Sequence, residues 1–452
     1  MTAIVTSKFR VVNASNFKRD ITDADNSVYV FIGKSDPWSD SVTDLTDGIA
    51  PTPADTSRDI AETYKNLIAG KIVTSADVTH VVPRYNWTSG NAYVAWNDQD
   101  DQIFTKQFYV ITDERKVFKC LKAGTGASIV KPTLAQVPPD STGGDGYVWK
   151  YMYTLAILDA EKFLTNFYIP VKTVVLPTSG DPNDLSESDL AQYNNQQSAI
   201  STLQGKIYDI RVTNGGTGYT SATAVITGDG TGATATVQLS GGVVTGLTVT
   251  NAGQGYNIAT VTINGNGTDA TAYPIMSPPY GHGSDPVNEL GGYYVGVNVR
   301  LEYDDGLGDF IVDNNFRQIG LIKNPMDASG SSVASDSTFS GLAEIQLASG
   351  TGFLVGDYIT GTTSGAVAYI DEFNDVDLQI KFHQNNKTGY GDFTNGEQIT
   401  GSLGGSGSLV SSAAISNPEY TPFSGQVIFL ENRDPINRSA SQIEDVKVII
   451  EF

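Results

Sequence analysis

The side chains able to do chemistry are few and scattered. Three histidines, His80, His282 and His383, occupy three separate segments, too few for a metal site read from ligand spacing. His282-Gly283-Ser284-Asp285 sets the residue types of a hydrolytic triad side by side. Triads are assembled from separate loops, however, and no Gly-x-Ser-x-Gly elbow occurs. Carboxylates are abundant at Asp98, Asp100 and Asp101, at Asp304-Asp305 and at Asp371-Glu372. A glycosidase needs two at a defined separation, which sequence does not fix, and in so acidic a chain these runs read as solvated loops. Gly215-Gly216-Thr217-Gly218-Tyr219-Thr220 superficially matches a calcium-binding turn but has Thr220 where a carboxylate is needed. Gly228-Asp229-Gly230-Thr231-Gly232 lacks the lysine of a phosphate cradle, so its glycines read as turn residues. Cys120 is the single cysteine and can form neither an intramolecular disulfide nor a thiolate cage. No catalytic residue, cofactor or metal ligand is assigned.

The elements that would position such groups read as mainly β. Forty-seven glycines accompany many Thr, Val and Tyr residues, the composition of short strands joined by tight turns. Strand-like runs occur at Val28 to Ile32, Phe108 to Ile111, Tyr147 to Leu155, Tyr293 to Tyr303 and Gln426 to Leu430. At the end, Val446, Val448, Ile450 and Phe452 alternate onto one face. Helices are predicted over Thr56 to Ile72, from the spacing of Ile60, Tyr64, Leu67, Ile68 and Ile72, and over Asp184 to Leu203. Twenty-eight basic against fifty acidic residues leave a net charge of −22. That field repels phosphate backbones and anionic headgroups, so neither nucleic acid nor membrane is expected as a partner. No run of 18 apolar residues occurs, nor a signal-like start, and assembly in a reducing cytoplasm is expected.

Two internal repeats stand out. Val212-Thr213-Asn214-Gly215-Gly216-Thr217-Gly218-Tyr219 returns as Val249-Thr250-Asn251-Ala252-Gly253-Gln254-Gly255-Tyr256, 37 residues on, and Ala233-Thr234-Ala235 returns at Ala270 in the same register. Neither copy carries enough apolar surface to fold alone, so the two should pack on each other. Phe353 to Gly361 resembles Phe393 to Gly401 at a spacing of 40. The predicted architecture is a discontinuous β-sandwich core with a few short helices and two inserted small β-repeat domains. Its segments are core 1–204, repeat module 205–275, core 276–338, hairpin-repeat module 339–411 and C-terminal core strands 412–452.

The segments outside the repeats carry a resemblance. Ala3 to Arg10, Gly33-Lys34-Ser35-Asp36-Pro37-Trp38, Val82-Pro83-Arg84-Tyr85-Asn86-Trp87 and Gly144-Asp145-Gly146-Tyr147-Val148-Trp149 form the first part of a collinear series. It continues with Asn315-Phe316-Arg317-Gln318-Ile319, Asn324-Pro325, and Gly425 through Glu431-Asn432-Arg433-Asp434-Pro435-Ile436. In that order they resemble the baseplate wedge subunit of T-even-type contractile-tailed bacteriophages, over roughly 1–175, 290–335 and 418–452 but not over the repeats. The motif positions are Gly33, Pro37, Trp38, Pro83, Arg84, Trp87, Gly144, Gly146, Trp149, Phe316, Arg317, Asn324, Pro325, Glu431, Asn432, Arg433 and Pro435.

The resemblance implies a structural, non-enzymatic β-sandwich protein without cofactor, found in the virion tail baseplate. It also implies a homodimer that contacts other baseplate wedge proteins and moves as a rigid strut when the tail contracts. The repeats would be outward-facing decorations on that strut, and deleting 205–275 should leave a soluble dimer. Two other readings stay open: a carbohydrate-binding tail adhesin with Tyr219 and Tyr256 as stacking platforms, and a polysaccharide-degrading tail enzyme.

Overall fold

The computed structural model describes residues 3–39, 41–134, 144–303, 305, 308–440 and 442–452. Asp304 of the Asp304-Asp305 pair therefore lies outside the described residues. In chain order the elements are α1 (Ser7–Ile21), β1 (Val28–Gly33), α2 (Ser57–Asn66), β2 (Leu67–Ile72), β3 (Val78–Pro83), β4 (Tyr109–Ile111), β5 (Lys116–Lys122) and β6 (Val148–Thr154). There follow α3 (Ile157–Phe163), β7 (Tyr168–Val171), α4 (Glu187–Thr202), β8 (Ile207–Thr217), β9 (Ala222–Gly228), β10 (Thr231–Ser240), β11 (Val243–Gln254), β12 (Ala259–Gly265) and β13 (Thr268–Met276). The chain continues through α5 (Pro286–Leu290), β14 (Tyr294–Leu301), β15 (Asn314–Lys323), β16 (Thr338–Ser340), β17 (Ala343–Thr351), β18 (Tyr358–Gly361), β19 (Val367–Asn374) and β20 (Gln379–His383). It ends with β21 (Gln398–Gly401), β22 (Ser406–Leu409), β23 (Ile415–Ser416), β24 (Gln426–Arg438) and β25 (Glu444–Glu451). The fold is mainly β, as composition predicts.

Two local expectations change. The helix expected over Thr56 to Ile72 stops at Asn66, and Leu67–Ile72 is a strand. Thr56 caps the helix, its side chain accepting from the Asp59 amide. The apolar run beyond Asn66 is claimed instead by β1, opposite which Ala69, Gly70 and Ile72 take register. Gly70 also lies flat beneath Phe339, where a Cβ would sit 2.5 Å from the ring, so a side chain at 70 would block this packing. Second, α1 went unread, because only Val11, Ala14 and Ile21 of its residues are buried, a stripe too narrow to stand out among polar neighbours.

The chain folds into two compact units. The first comprises Met1–Asn16, Thr79–Gly296 and Ile449–Phe452. Its meander β4-β5-β6 buries Phe118, Cys120, Tyr147 and Trp149, and a larger cluster gathers Phe108, Tyr109, Met152, Tyr153 and Ile169. The 37-residue repeat lies within this unit and its two copies interlock. First-copy β10 pairs with second-copy β11, second-copy β13 with β8, and β9 with β12, all antiparallel. Val225 faces Thr262, its own equivalent 37 residues on, so a pseudo-twofold axis passes between them.

The second unit comprises Phe17–Val78 and Val297–Val448. Its five-stranded sheet runs β16-β2-β1-β15-β24, with every residue of the central β1 buried. The 40-residue repeat forms a closed barrel in the order β20-β19-β18-β21-β22-β17 and back to β20, with β23 added on β17. Closure removes the unpaired strand edges that an isolated sheet of this size would present. Thr360 faces Thr400, again its own repeat equivalent, and a second pseudo-twofold axis passes there.

Candidate functional site

Motif residues far apart in sequence converge in the second unit. Gly33, at the end of β1, stands opposite Gln318 of β15, and Gln318 opposite Asn432 of β24. The buried Arg317 holds Asp47 through two bonds, Nε at 2.6 Å and Nη2 at 2.7 Å, while its Nη1 donates to the Ser35 carbonyl. Asp47 in turn accepts from the Trp38 amide, and the Trp38 indole donates to the Arg433 carbonyl at 2.8 Å. Phe316 and Pro37 are buried. Arg433, Asp434 and Pro435 sit where the β15–β24 register shifts, a bulge in which a residue without an N–H leaves no ladder bond unmade. Glu431 reaches Arg433 at 3.5 Å with both side chains nearly half exposed, a pair worth little. Asn324, at φ +50°, staples the start of β1 by accepting from the Ser27 amide at 2.8 Å, and the buried Pro325 accepts from the Ala334 amide.

Behind this junction lies a buried ionic cluster that no sequence spacing indicated. His383, at the end of β20, donates to Asp371 from Nδ1 at 2.7 Å and meets Asp36 from Nε2 at 3.3 Å. Lys34 donates to both Asp36 oxygens at 2.8 Å, Lys387 also pairs with Asp36, and Ser35 Oγ bonds Asp371. Burial pulls the imidazole down, but the two carboxylates outweigh it and push His383 up to about 9. Burial opposes charge on Asp36, yet His383, Lys34 and Lys387 hold it well below the usual carboxylate range. His383 is therefore a charged structural residue at neutral pH. Ser35 and Asp371 both sit on its Nδ1 side, so no base faces a nucleophile across the ring and the triad relay is not assembled. Asp371 and His383 belong to the barrel, whereas Lys34, Ser35 and Asp36 follow β1. Buried bonds therefore join the barrel to the segment that follows β1.

The first unit holds the remaining motif positions. Arg84 is spent internally, its Nε donating to Asn86 at 2.9 Å and its Nη1 to the Thr165 carbonyl at 2.7 Å. Pro83 accepts from the Tyr109 hydroxyl, and Trp87 donates to Ser128. Trp149 is fully buried, stacked on Tyr147 at 5.8 Å between ring centres. Between exposed Gly144 and Gly146, the latter at φ +81°, the Asp145 carboxylate accepts from the Ile129, Val130 and Tyr147 amides. Thus Gly146 serves a turn that lets one carboxylate cap another loop.

The chemically suggestive motifs do not assemble. His80 is bonded to the Gly292 carbonyl. Ser284 donates to the Gly281 carbonyl and Asp285 caps α5, while His282 is buried edge-on to Trp96 and kept neutral by burial and by Lys119 and Lys150. Asp98 accepts from the Met276 amide, Asp100 pairs with Lys106, and Glu372 with Lys381. Among the described residues no three His, Cys, Asp or Glu side chains gather to hold a metal ion.

Tyr219 and Tyr256 occupy equivalent interior positions, each 4 % exposed. Glycines wall both rings: Gly216, Gly265 and Gly267 around Tyr219; Gly228, Gly230 and Gly253 around Tyr256. A Cβ at Gly230 would lie 2.4 Å from the Tyr256 ring. The stacking platforms expected of a carbohydrate binder are core residues, and these six glycines leave the room the rings need.

Residues 3–111 match the protein-family model described as "Bacteriophage T4, Gp8". The chain is also 27% identical over 203 residues to the "Baseplate wedge protein gp8" of Enterobacteria phage T4, a match covering 37% of this chain and 60% of that protein. The chain thus spans about three fifths of the relative's length. The resemblance read from the motif series and the sequence match agree on the baseplate wedge subunit.

Proposed function

We propose that this chain, a relative of the baseplate wedge protein of Enterobacteria phage T4, is a structural, non-enzymatic component of a bacteriophage tail baseplate wedge. The observation that carries the reading is the motif junction: segments near residues 35, 317 and 433, which resemble the wedge subunit in the same order, meet as one hydrogen-bonded knot. Arg317, Asp47 and Trp38 serve rigidity there, since their polar groups are bonded within the chain. The assembly reading is of a homodimer touching other wedge proteins, placed in the virion and built in the host cytoplasm. Residues 205–275 and 339–411 are read as insertions into the wedge fold. Tail contraction then moves the subunit as a rigid body, because closed barrels and buried ion pairs resist internal shear.

Cryo-electron microscopy of purified virions, before and after contraction, tests this. Two copies of the chain in each of six wedges, with superimposable cores in the two states, are expected. Density confined to fibre tips, or a refolded core after contraction, would overturn it.

A further inference from the structure

Two buried lysines share one carboxylate in the first unit. Lys119 of β5 and Lys150 of β6 stand directly opposite each other in their antiparallel pair, 0% and 8% exposed. Like charges so placed repel, and burial strengthens the repulsion. Glu289 of α5 accepts from Lys119 on Oε2 at 2.9 Å, while its Oε1 accepts from the Gly283 and Asp285 amides. Lys150 forms no ion pair among the described residues. It donates instead to the side-chain amide of Asn195, Nζ to Oδ1 at 2.9 Å.

The amide is held in one orientation. Asn195 Nδ2 donates to the Met152 carbonyl at 2.7 Å, and a carbonyl can only accept, so Oδ1 faces the lysine. Its neighbours on the same face of α4 also dock through amides: Gln192 donates to the Lys172 carbonyl, and Gln196 both accepts from and donates to the Val174 backbone. Gly283 closes the site at φ +94°. A Cβ there would lie 2.8 Å from Lys150 Cε, 3.4 Å from its Nζ and 3.8 Å from Asn195 Nδ2. The Gly283 N–H meets Glu289 Oε1 at 2.7 Å, so amine, carboxamide and carboxylate surround one glycine. Burial brings Lys150 down to about 8 although Glu289 pulls the other way, which leaves about a tenth of the amines neutral at pH 7. His282, the other titratable group at the site, is buried and neutral. An amine does not add to a carboxylate anion, so neither Lys34 on Asp36 nor Lys119 on Glu289 is placed to react. Lys150 faces an uncharged carboxamide.

We infer that Lys150 and Asn195 are a modification site, joined by an isopeptide bond that the folded chain forms by itself and that fastens α4 to β6. In that step the neutral Lys150 Nζ adds to Asn195 Cγ, the Cγ–Nδ2 bond breaks, and ammonia leaves. The proton shed by Nζ passes to the departing nitrogen, with Glu289 as the relay across Gly283. Amine plus carboxamide becomes substituted amide plus ammonia, so the step balances without an outside reactant. It happens once in each chain and is a maturation, not a turnover. The product removes the second positive charge beside Lys119, and it gives α4 an anchor that its polar docking face does not supply by apolar burial. The inference does not depend on the wedge reading.

Intact-mass spectrometry and tryptic mapping of the full chain, after incubation at about pH 8, test this. A mass about 17 Da below that of the sequence is expected, the loss of one ammonia. Trypsin should fail to cut after Lys150, and a branched peptide should join the segments that carry Lys150 and Asn195. Lys150→Arg and Asn195→Ala should each return to the mass their sequences require. Folded Glu289→Gln should form the bond about a hundredfold more slowly; an equal rate there would overturn the relay. A folded chain at full sequence mass, cut by trypsin after Lys150, would overturn the bond. So would a mass deficit that persists in Lys150→Arg, the signature of an asparagine cyclised on its own backbone. The mass of the unaltered chain decides the bond even where Glu289→Gln fails to fold.

Discussion

The two repeat modules solve one problem with opposite materials. Each is a doubled β unit folded about a pseudo-twofold axis, and each copy completes the other. In the 37-residue repeat the completion is apolar and steric. Tyr219 fits between Gly216 of its own copy and Gly265 and Gly267 of the second, Tyr256 between Gly253 of its own copy and Gly228 and Gly230 of the first, and the rings' hydroxyls accept from the Ala270 and Ala233 amides. In the 40-residue repeat the completion is ionic. Asp357 accepts from Ser402 Oγ at 2.5 Å and the Leu403 amide at 3.2 Å, while its equivalent, Glu397, accepts from the Thr363 and Ser364 amides at 2.9 and 3.0 Å. Each buried acid caps the other copy's turn. The comparison teaches that a repeat conserves the geometry of its closure, not its chemistry, since a ring in a glycine slot and a carboxylate on a turn both fix register.

The comparison is broken most severely at the ring. Tyr219→Ala empties a slot that glycines cannot collapse to fill, and should cost about 4 kcal/mol. Hydrogen exchange of the β8–β13 amides should accelerate while the barrel's protection is unchanged. Asp357→Ala is the ionic counterpart. It strands the donors at 402 and 403 and should cost about 3 kcal/mol, read as faster exchange at Tyr358–Gly361 and in the 402–404 turn.

Acid–base dependence sharpens the contrast. Tyr219 and Tyr256 belong to a hydrophobic cluster, whereas the barrel is tied to its unit through His383. The folded His383 sits near 9 against an unfolded value near 6.5. Its stabilisation is therefore complete below about 6.5, declines as pH rises, and is gone once pH passes about 9. Asp36 works in the opposite sense, its contribution present above its unfolded value and lost on acidification. Between pH 6.5 and 9.5 the urea midpoint of the second unit should fall by the equivalent of roughly 3 kcal/mol, and His383→Gln should flatten that slope. An equal slope in the variant would mean that another group carries the titration. The smallest effect lies on the repeat's surface, where Thr213 meets Thr271 at 2.6 Å and Thr234 meets Thr250 at 2.8 Å. Thr271→Val should cost about 0.5 kcal/mol in thermal unfolding, and the same substitution at Thr234 a similar amount.

Much of this was legible from residue order, for a physical reason. Strands announce themselves by alternation and repeats by periodicity, so β1, β6, β24, β25 and both doublings could be placed. What escaped was set by contacts between distant positions. Leu67–Ile72 continues a helical spacing, and only its pairing with β1 and the Phe339 ring makes it a strand. The motif positions could be named without knowing that Arg317 would grip Asp47 or Trp38 reach Arg433. The Asp36–His383–Asp371 cluster left no trace at all, because 335 residues separate Asp36 from Asp371 and no local pattern connects them. Tyr219 and Tyr256 stood at equivalent positions in the sequence, but their burial depended on glycines from the opposite copy.

That exchange of partners between copies has a consequence for inheritance. Since β10 finds its mate in β11 and β13 finds its mate in β8, neither half of the 37-residue doubling keeps a complete set of hydrogen-bonded neighbours if the other is lost. The ancestor that fits this geometry is a single unit that met an identical chain, later joined by tandem duplication into one. Once the halves had diverged, as Asn266 and its counterpart Asp229 have, the fusion became a one-way step. A lineage can shed the whole module or keep it, but it can no longer inherit half.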